Sequence, residues 1–424
     1  TWPGGITITQ PADIAVSGVP TITNVSVDGG NDGRIQVSGT GPNMPLTYTI
    51  TGGVSNNDGD FLLKIHPDLI LDTVIISCMG FSQITIPAFK ILDEDVFEMN
   101  PMSIRIKEIE VKAITPSEIL KKVRANFNTN YSSETELMNA FYRETVKQDN
   151  DYISASEAVL EILKLPYSNL YRNDLIRLLK GRRSPDVQHF RWFNFKLQGG
   201  PFTIIKLDIV KTMESFIDPE FENHYSYNIS DVIWYNNNPV YVLTFKPVST
   251  IIFPNYVGEI YVNRETFAIV HAYFKFDKSN LKKAEDFMIK SKPRGVKARP
   301  TFVEYKVNYQ QYNGIWHLAN AQASVKFRIR SRRDKINSVY HSISDLLITN
   351  VKPTDLKKFA RNELFKQHDI FVEMLNNYDE NFWGNYNIIE PGEDGRARLD
   401  GDFDLTTRGG LHVRGSSSSG FAKK

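Results

Sequence analysis

The most constraining feature of this sequence is a change of hydrophobic period within residues 113–167, from helical spacing to strand-like alternation. Thr115 and Glu118 have the spacing of a capping box, in which each side chain bonds the other residue's backbone amide. Pro116 suits the first helical position, where its missing N–H costs nothing. Apolar residues then recur at helical spacing as far as Phe127, which predicts one amphipathic helix that ends just beyond it.

The segment after this helix has strand character. Ser133 and Glu136 are spaced as a second capping box, which predicts a short helical turn before the strands begin. Alternating residues at 141–146 and 152–163 flank a polar turn, so they predict an antiparallel hairpin. The sequence of 157–164 also fits a helix, but the turn signals close to both of its ends favour a strand.

Residues 190–351 have the pattern of a long antiparallel meander. Aromatic residues make up 12% of the chain and β-branched residues are frequent, which favours a β-rich fold. Asn313-Gly314 is the strongest short hairpin signal, because both residues tolerate the positive φ angles of a tight turn. We predict a first strand at 203–212, a last strand at 338–351, and hairpin turns at 236–239, 263–266 and 313–314.

The remaining segments are assigned by composition and period. Residues 174–180 predict a short amphipathic helix, and residues 355–376 predict a longer one. Residues 1–54 contain strand-like runs between Gly, Asn and Pro turns, which predicts β-sandwich material. The sequence DGGNDG at 28–33 does not have EF-hand spacing, so a plain turn is expected. Cys78, the single cysteine, lies in an alternating apolar run and is predicted to be a buried strand residue.

Several motifs that occur together resemble one family. AFYRE at 140–144, SEAVLEI at 156–162 and KGRRSPD at 180–186 resemble the Bacteroidota-type carboxypeptidase-like regulatory domain-containing proteins of the cell envelope. YDENFWGNYNIIEP at 378–391 resembles the end of that family. The resemblance covers residues 52–391, and it implies a prealbumin-type sandwich, a larger second domain and a location in the cell envelope.

The expected fold class is β-rich α+β. An N-terminal β-sandwich of immunoglobulin- or prealbumin-like type precedes a helix and a large curved antiparallel sheet. This order is similar to the LolA/LolB-like half-barrel, in which a curved sheet wraps a helix and can hold an acyl chain, although fold does not fix function. The predicted domains are an atypical β-sandwich or adhesin-repeat-like segment at 1–51, a carboxypeptidase regulatory-like β-sandwich at 52–111, the helix and half-barrel at 112–391, and a flexible tail at 392–424.

Composition and motifs exclude several function classes. The net charge of +1 gives no overall attraction to nucleic acid. The sequence contains no phosphate-binding loop, zinc-binding HExxH or GxSxG elbow, so we predict no enzymatic activity, no cofactor and no metal. No apolar run approaches the roughly 20 residues of a membrane helix. No charged and apolar leader precedes Thr1, so an exported protein would be present here in a mature or truncated form.

The predicted function is a non-enzymatic binding protein of the cell envelope, periplasmic or associated with the outer membrane, for a lipid, lipoprotein or peptide. Tyr241, Leu243 and Phe245 share one strand face and are candidates for lining its cavity, although ordinary core packing explains the same pattern. An adhesion or docking component of an envelope assembly or secretion complex is the alternative. A hydrolase whose site is assembled from distant residues is a third hypothesis.

Basic residues at two places suggest a docking patch for anionic headgroups or a protein partner, and hence peripheral membrane association. The candidate patch consists of Arg182, Arg183, Lys326, Arg328, Arg330 and the basic loop at 282–300. A solvated helix end at the first place and a half-exposed strand at the second explain the same residues without a partner.

Overall fold

The computed structural model describes residues 114–377, apart from gaps at 150, 171, 184–195, 198–199, 237, 249–253, 279–280, 282, 292–293, 334 and 368. Before residue 114 it describes only short stretches between residues 35 and 100. The predictions for the 28–33 turn, the 378–391 motif and the 392–424 tail lie outside the described residues.

The N-terminal stretches contain short strands in two small antiparallel sheets. Cys78 directly follows one strand and is buried with Val74 and Ile76, which confirms its predicted environment. The β-sandwich and its regulatory-domain identity stay predictions, because the described strands are short and discontinuous. The strands are β1 (Ile35–Gln36), β2 (Thr49–Ile50), β3 (Gly53–Val54), β4 (Asp60–Phe61), β5 (Thr73–Ser77) and β6 (Ile84–Pro87), with β1 pairing β4 and the second sheet in the order β3-β2-β5-β6.

The first long helix begins where the capping box predicts. In α1 (Pro116–Ala125), the Thr115 hydroxyl accepts from the Glu118 amide at 3.2 Å, and the Thr115 amide donates to Glu118 Oε2 at 2.8 Å. The apolar face of α1 is fully buried. The second predicted capping box is wrong, because Glu136 already begins a strand instead of a helical turn.

A single large sheet dominates the rest of the described chain. Its eleven described strands have the order β11-β12-β13-β14-β16-β17-β18-β7-β8-β9-β19, antiparallel except for β9 and β19. The sheet is open and curved, as expected for the second part of the fold class. The elements are α2 (Phe127–Asn130), β7 (Glu136–Gln148), β8 (Asp151–Lys164), β9 (Leu175–Arg183), β10 (Lys196–Leu197), α3 (Pro201–Ile205), α4 (Ile209–Thr212), β11 (Tyr225–Tyr235), β12 (Asn238–Pro247), β13 (Tyr256–Asn263), β14 (Ile269–Phe276), α5 (Ala284–Met288), β15 (Ile289–Ser291), β16 (Val296–Tyr312), β17 (Ile315–Ser331), β18 (Ile336–Pro353) and β19 (Asn376–Asn377).

The hairpin predictions are confirmed along this sheet. Asn313 and Gly314 have φ angles of 49° and 85° and connect β16 to β17, as the tight turn requires. Asn236, at the turn between β11 and β12, also has a positive φ of 48°. The segment 157–164 is a strand within β8. Local turn chemistry therefore sets the register of neighbouring strands.

Three segments differ from their predictions. Residues 175–180 form part of strand β9 and not a helix, because β9 pairs with β8 over eight registered residue pairs. Residues 203–212 form α3 and α4 and not a strand, since Pro201 and Asp208 start those helices. The described residues of 355–376 run beside β9 and form no α-helix, and the Phe365 amide bonds the Ile176 carbonyl at 2.8 Å. This segment covers the sheet edge.

The two faces of the sheet have different chemistry. The inner face, which we define as the face packed against α1, is apolar and forms the main core with α3 and α4. The outer face carries a row of polar residues at registered positions, one on each described strand. This row runs Asn228, Thr244, Glu259, Tyr273, Lys306, Gln322, Asp345, Arg143, Glu157, Arg182 and Asn376.

Candidate functional site

The three residues predicted to line a cavity lie on the inner face of β12. Tyr241, Leu243 and Phe245 are buried in the main core. Phe245 stacks on Phe216 with ring centroids 4.3 Å apart, and Arg264 lies 5.1 Å from the Tyr241 ring centroid. Protein side chains therefore cover this strand, and the role of these residues in lining a ligand cavity stays a prediction.

A buried group of charges lies where α4 meets the ends of β8 and β9. The Lys164 ammonium contacts Asp208 Oδ2 at 2.6 Å and Asp174 Oδ2 at 2.8 Å. Burial alone would lower the pKa of Lys164, but the two carboxylates outweigh it and raise the pKa above its usual value. Lys164 is therefore a buried cation with two anionic partners.

Asp208 is the centre of this group. Its Oδ2 also accepts from the Tyr167 hydroxyl at 2.9 Å, and its Oδ1 accepts from the Tyr309 hydroxyl at 2.8 Å. The Lys211 amide donates to Oδ1 at 3.2 Å, so Asp208 also caps α4. Burial raises the pKa of both tyrosines well above the usual range, so both remain donors at neutral pH. We call Lys164, Tyr167, Asp174, Asp208, Lys211 and Tyr309 the inner ionic cluster.

Lys211 carries the second cation of this cluster. Its ammonium donates to the carbonyl oxygens of Pro166 at 2.5 Å and Asn169 at 2.7 Å, and it is a longer 3.3 Å from that of Leu165. Burial lowers its pKa, an effect that the carboxylates of the cluster oppose. The inner ionic cluster thus contains two lysines and two carboxylates, and its charges balance.

A small pocket opens beside the inner ionic cluster, between α3 and the start of β9. Its volume is about 40 Å³, which suits a few water molecules or a small anionic group and not an acyl chain. Its lining combines apolar side chains with charged ones. The lining residues are Leu170, Arg172, Asn173, Asp174, Ile176, Phe202, Ile205, Lys206, Lys211 and Thr212.

Two cations of this pocket lack an anionic partner among the described residues. Arg172 and Lys206 are exposed, and neither forms an ion pair with a described carboxylate. The Lys206 ammonium lies 4.6 Å from the Phe202 ring centroid, and partial burial lowers its pKa. Asp174 is already engaged by Lys164, so the pocket presents net positive charge beside an apolar wall. We call it the cationic pocket.

The first pair of predicted docking residues belongs to the interior of the sheet. Arg182 is only 5% exposed and donates to Glu157 Oε2 at 2.9 Å. Arg143 binds the other oxygen of the same carboxylate from the neighbouring strand, with its Nε at 2.7 Å. Arg183 donates to the Val372 carbonyl at 3.1 Å. These contacts contradict the prediction of an exposed helix end, and they leave Arg182 without a surface role.

The other predicted docking residues lie near the C-terminal end of β17. Arg328 and Arg330 are exposed, and Lys326 is half-buried on the same outer face of β17. Between them, Phe327 and Ile329 point into the core, which confirms the predicted alternation. Whether this surface binds a partner stays a prediction.

One histidine, His341, has a contact that bears on the hydrolase hypothesis. His341 Nε2 lies 2.8 Å from the Ser324 hydroxyl, a distance typical of a nucleophile and its base. Burial, Lys326 and Lys147 lower the pKa of His341 to about 4, which makes it a weak base. No carboxylate in the described chain hydrogen-bonds to it. The contact therefore lacks the acidic residue of a catalytic triad.

The sequence did not indicate the inner ionic cluster. Lys164 and Asp208 are 44 positions apart, and Tyr309 follows Asp208 by 101 positions. The available signal was the Asp208 position at the start of a helix, but the β-branched residues around it favoured a strand. Among the described residues, no group of three or more His, Cys, Asp or Glu side chains is arranged to hold a metal ion. None of the described helices is long and apolar enough to cross a membrane.

Comparisons with known proteins give similarity of fold only. No protein-family model and no curated protein matches the chain. A domain from Vibrio parahaemolyticus, provisionally named an outer membrane lipoprotein-sorting protein, is 11% identical with a TM-score of 0.27, and the match covers 57% of this chain and 94% of that one. A DUF1329 family protein from Desulfovibrio piger gives the same four values. A LolA superfamily protein from Nitrosomonas europaea is 13% identical with a TM-score of 0.22, covering 57% and 96%. TM-scores this low assign neither a family nor a ligand to this chain.

Proposed function

We propose that this protein is a non-enzymatic binding protein of the cell envelope that holds an acidic lipid or acylated ligand. The observation that carries the proposal is the cationic pocket, where unpaired cations and an apolar wall adjoin the inner face of the sheet. An amphiphile with an anionic headgroup has the complementary chemistry. The envelope location rests on the resemblance of the sequence motifs and not on the pocket.

The headgroup is expected to lie between Arg172 and Lys206. Charge-assisted hydrogen bonds from these two donors would balance the negative charge of a carboxylate or phosphate at the mouth of the pocket. The inner ionic cluster behind them is already balanced, so it would form a fixed wall and would not compete for the ligand. The pocket thus supplies recognition of the headgroup.

The acyl chain requires more space than the pocket provides. Phe202 and Ile205 line the pocket and belong to α3, a helix of only five residues. Isolated helices this short have little stability of their own, so packing of Ile204 and Ile205 against the sheet holds α3 in place, and an apolar chain can replace that packing. We expect the chain to displace α3 from the inner face and to lie on the apolar sheet beneath it.

A binding experiment tests this function. A fluorescently labelled long-chain fatty acid is titrated into the protein, and unlabelled fatty acid or the fatty alcohol of equal length is used as competitor. The acid should compete better than the alcohol, because only the acid carries the charge. Lys206→Gln should weaken the acid about tenfold or more, the usual size of a hydrogen bond to a charged group, and should leave the alcohol unchanged.

Lys121 provides the matched control, because it is an exposed lysine on α1 away from the pocket. Lys121→Gln should bind both competitors as the unmodified protein does. Failure of the fatty acid to bind at all would refute the proposal, and so would equal competition by acid and alcohol.

A further inference from the structure

A second group of cations lies on the outer face of β16 and β17, far along these strands from the inner ionic cluster. The register places Lys297 directly opposite Arg330, and Arg299 directly opposite Arg328. All four are exposed. Side chains directly opposite each other on antiparallel strands have Cβ atoms about 5 Å apart, so two pairs of like charges face each other.

The same end of the strands carries more positive charge. Exposed Arg332, Arg333 and Lys335 belong to the turn between β17 and β18, and exposed Arg294 precedes β16. We call these eight residues and half-buried Lys326 the basic tip. It combines residues from the predicted strand patch with the end of the predicted basic loop at 282–300.

The described chain does not neutralise this charge. Arg328 and Arg330 both donate to the amide oxygen of Asn337, which is uncharged, at 3.4 and 3.1 Å. The nearby carboxylate of Asp149 accepts from the Val339 amide at 2.9 Å and forms no ion pair with a cation of the tip. Like charges directly opposite each other destabilise a sheet. A surface that retains this arrangement suits a partner that supplies the negative charge.

The tip is an array of side chains on two paired strands and the turns beside them, and it is not a pocket. The residues that alternate with the cations, Ala298, Phe327 and Ile329, are buried in the core and fix the strands. Among the described residues of β16, β17 and the turn after β17, none is a large exposed apolar side chain. Protein interfaces have an apolar centre, and single-stranded nucleic acids bind to aromatic platforms. An array of cations alone suits a surface of densely packed anionic headgroups.

We propose that the basic tip docks on the surface of an anionic lipid bilayer. The proposal is separate from ligand binding in the cationic pocket, because the tip and the pocket share no residue. Docking by the tip requires no inserted segment. It would hold the protein at a membrane while leaving the pocket free to exchange a ligand.

Vesicle co-sedimentation with the full chain tests this proposal. Vesicles of phosphatidylcholine alone are compared with vesicles that also contain phosphatidylglycerol, at low and high salt. The protein should bind only the anionic vesicles, and salt should abolish binding because it screens exposed charges. Removing one cation near an anionic surface should weaken binding roughly fivefold, so Arg299→Gln with Arg328→Gln should weaken it about 25-fold.

Lys246 and Lys275 provide a matched control, since both are exposed lysines on strands away from the tip. Their double glutamine variant should lose little binding. Equal melting temperatures of both double variants would show that the loss is not caused by unfolding. Equal binding to neutral vesicles, no effect of the tip variant, or binding to RNA or an acidic peptide but not to vesicles would overturn the proposal. None of these results would affect fatty-acid binding in the cationic pocket.

Discussion

The inner ionic cluster and the basic tip both contain several cations, but carboxylates of the described chain balance their charge only in the cluster. In the cluster, Lys164 and Lys211 are buried, and Asp174 and Asp208 balance them. In the tip, all cations except half-buried Lys326 are exposed, and none forms an ion pair with a carboxylate of the described chain. Burial makes an unbalanced charge very costly, whereas water screens exposed charges cheaply. The cluster therefore fixes the packing of α4, and the tip remains available to a partner.

The outer-face row contains both paired and unpaired charges among its described residues. Glu157 is fully buried between Arg143 and Arg182, so one carboxylate binds two guanidinium groups. Further along the row, burial lowers the pKa of Lys306 and raises that of Asp345. On this row, therefore, Glu157 has ionic partners, whereas burial favours the neutral forms of Lys306 and Asp345.

The largest effect is expected from removing the central anion of the inner ionic cluster. Asp208→Ala would leave Lys164 with one partner and the Tyr167 and Tyr309 hydroxyls without their acceptor. The free energy of unfolding should fall by about 3–5 kcal/mol, as for other broken buried ion pairs. Chemical denaturation measures the loss. Glu265→Gln, at an exposed turn, is the control and should change stability by less than about 0.5 kcal/mol. A similarly small loss for Asp208→Ala would contradict the structural role of the cluster.

A smaller effect on stability is expected from the titration of His271, whose pKa is not raised by any anion of the described chain. Burial is the main cause that lowers its pKa from 6.5 to about 4, while its Nδ1 contacts Asn308 Oδ1 at 2.6 Å. Between these two values the unfolded chain binds a proton that the folded chain does not bind. Stability should therefore fall as the pH drops from 6.5 toward 4, by about 2–3 kcal/mol at most.

Denaturation curves at several pH values measure this dependence. His271→Gln should flatten the fall in stability between these pH values, because it removes the titrating group and keeps a donor toward Asn308. His341→Gln offers a comparison, since the pKa of His341 is also lowered to about 4 but its burial is less complete. An unchanged pH dependence in the His271 variant would show that this imidazole titrates normally in the folded protein.

The smallest expected effect is a change in the pKa of His341, which lies near Lys326 of the basic tip. After burial, Lys326 is the next cause that lowers the pKa of His341. Lys326→Gln removes a positive neighbour, so the pKa of His341 should rise by a few tenths, as expected for a charge pair near the surface. An NMR titration of the imidazole follows this change. A fall in the pKa, or no change at low salt, would mean that the tip does not generate a positive field at His341.

Local signals in the sequence predicted much of the fold. The α1 capping box, the Asn313-Gly314 turn and the strand alternation at 325–330 depend on neighbouring residues, and all three are confirmed. The incorrect predictions concern segments whose structure depends on contacts with residues that are distant in the sequence. Residues 175–180 form a strand because they pair with β8, and the described residues of 355–376 run beside β9 and do not form the predicted helix.

The candidate site was less predictable than the fold for the same reason. Lys164, Asp174 and Asp208 meet only after β8, β9 and α4 have assembled, so no motif could connect them. Arg182 shows a related failure. The Arg-Arg sequence suggested an exposed position, but Arg182 is buried and forms an ion pair with Glu157. By contrast, the alternation of Lys326, Arg328 and Arg330 was visible in the sequence. The register of β16 then showed that Lys297 and Arg299, from the predicted basic loop, lie directly opposite Arg330 and Arg328.

Native mass spectrometry with lipid extraction, on protein purified from its native cells, tests the central claim most directly. The proposed function predicts one acidic lipid or acylated peptide per chain, which Lys206→Gln should reduce and Lys121→Gln should retain. A chain that carries no ligand and purifies with a stoichiometric protein partner would contradict this account. That result would favour the docking component of an envelope assembly instead.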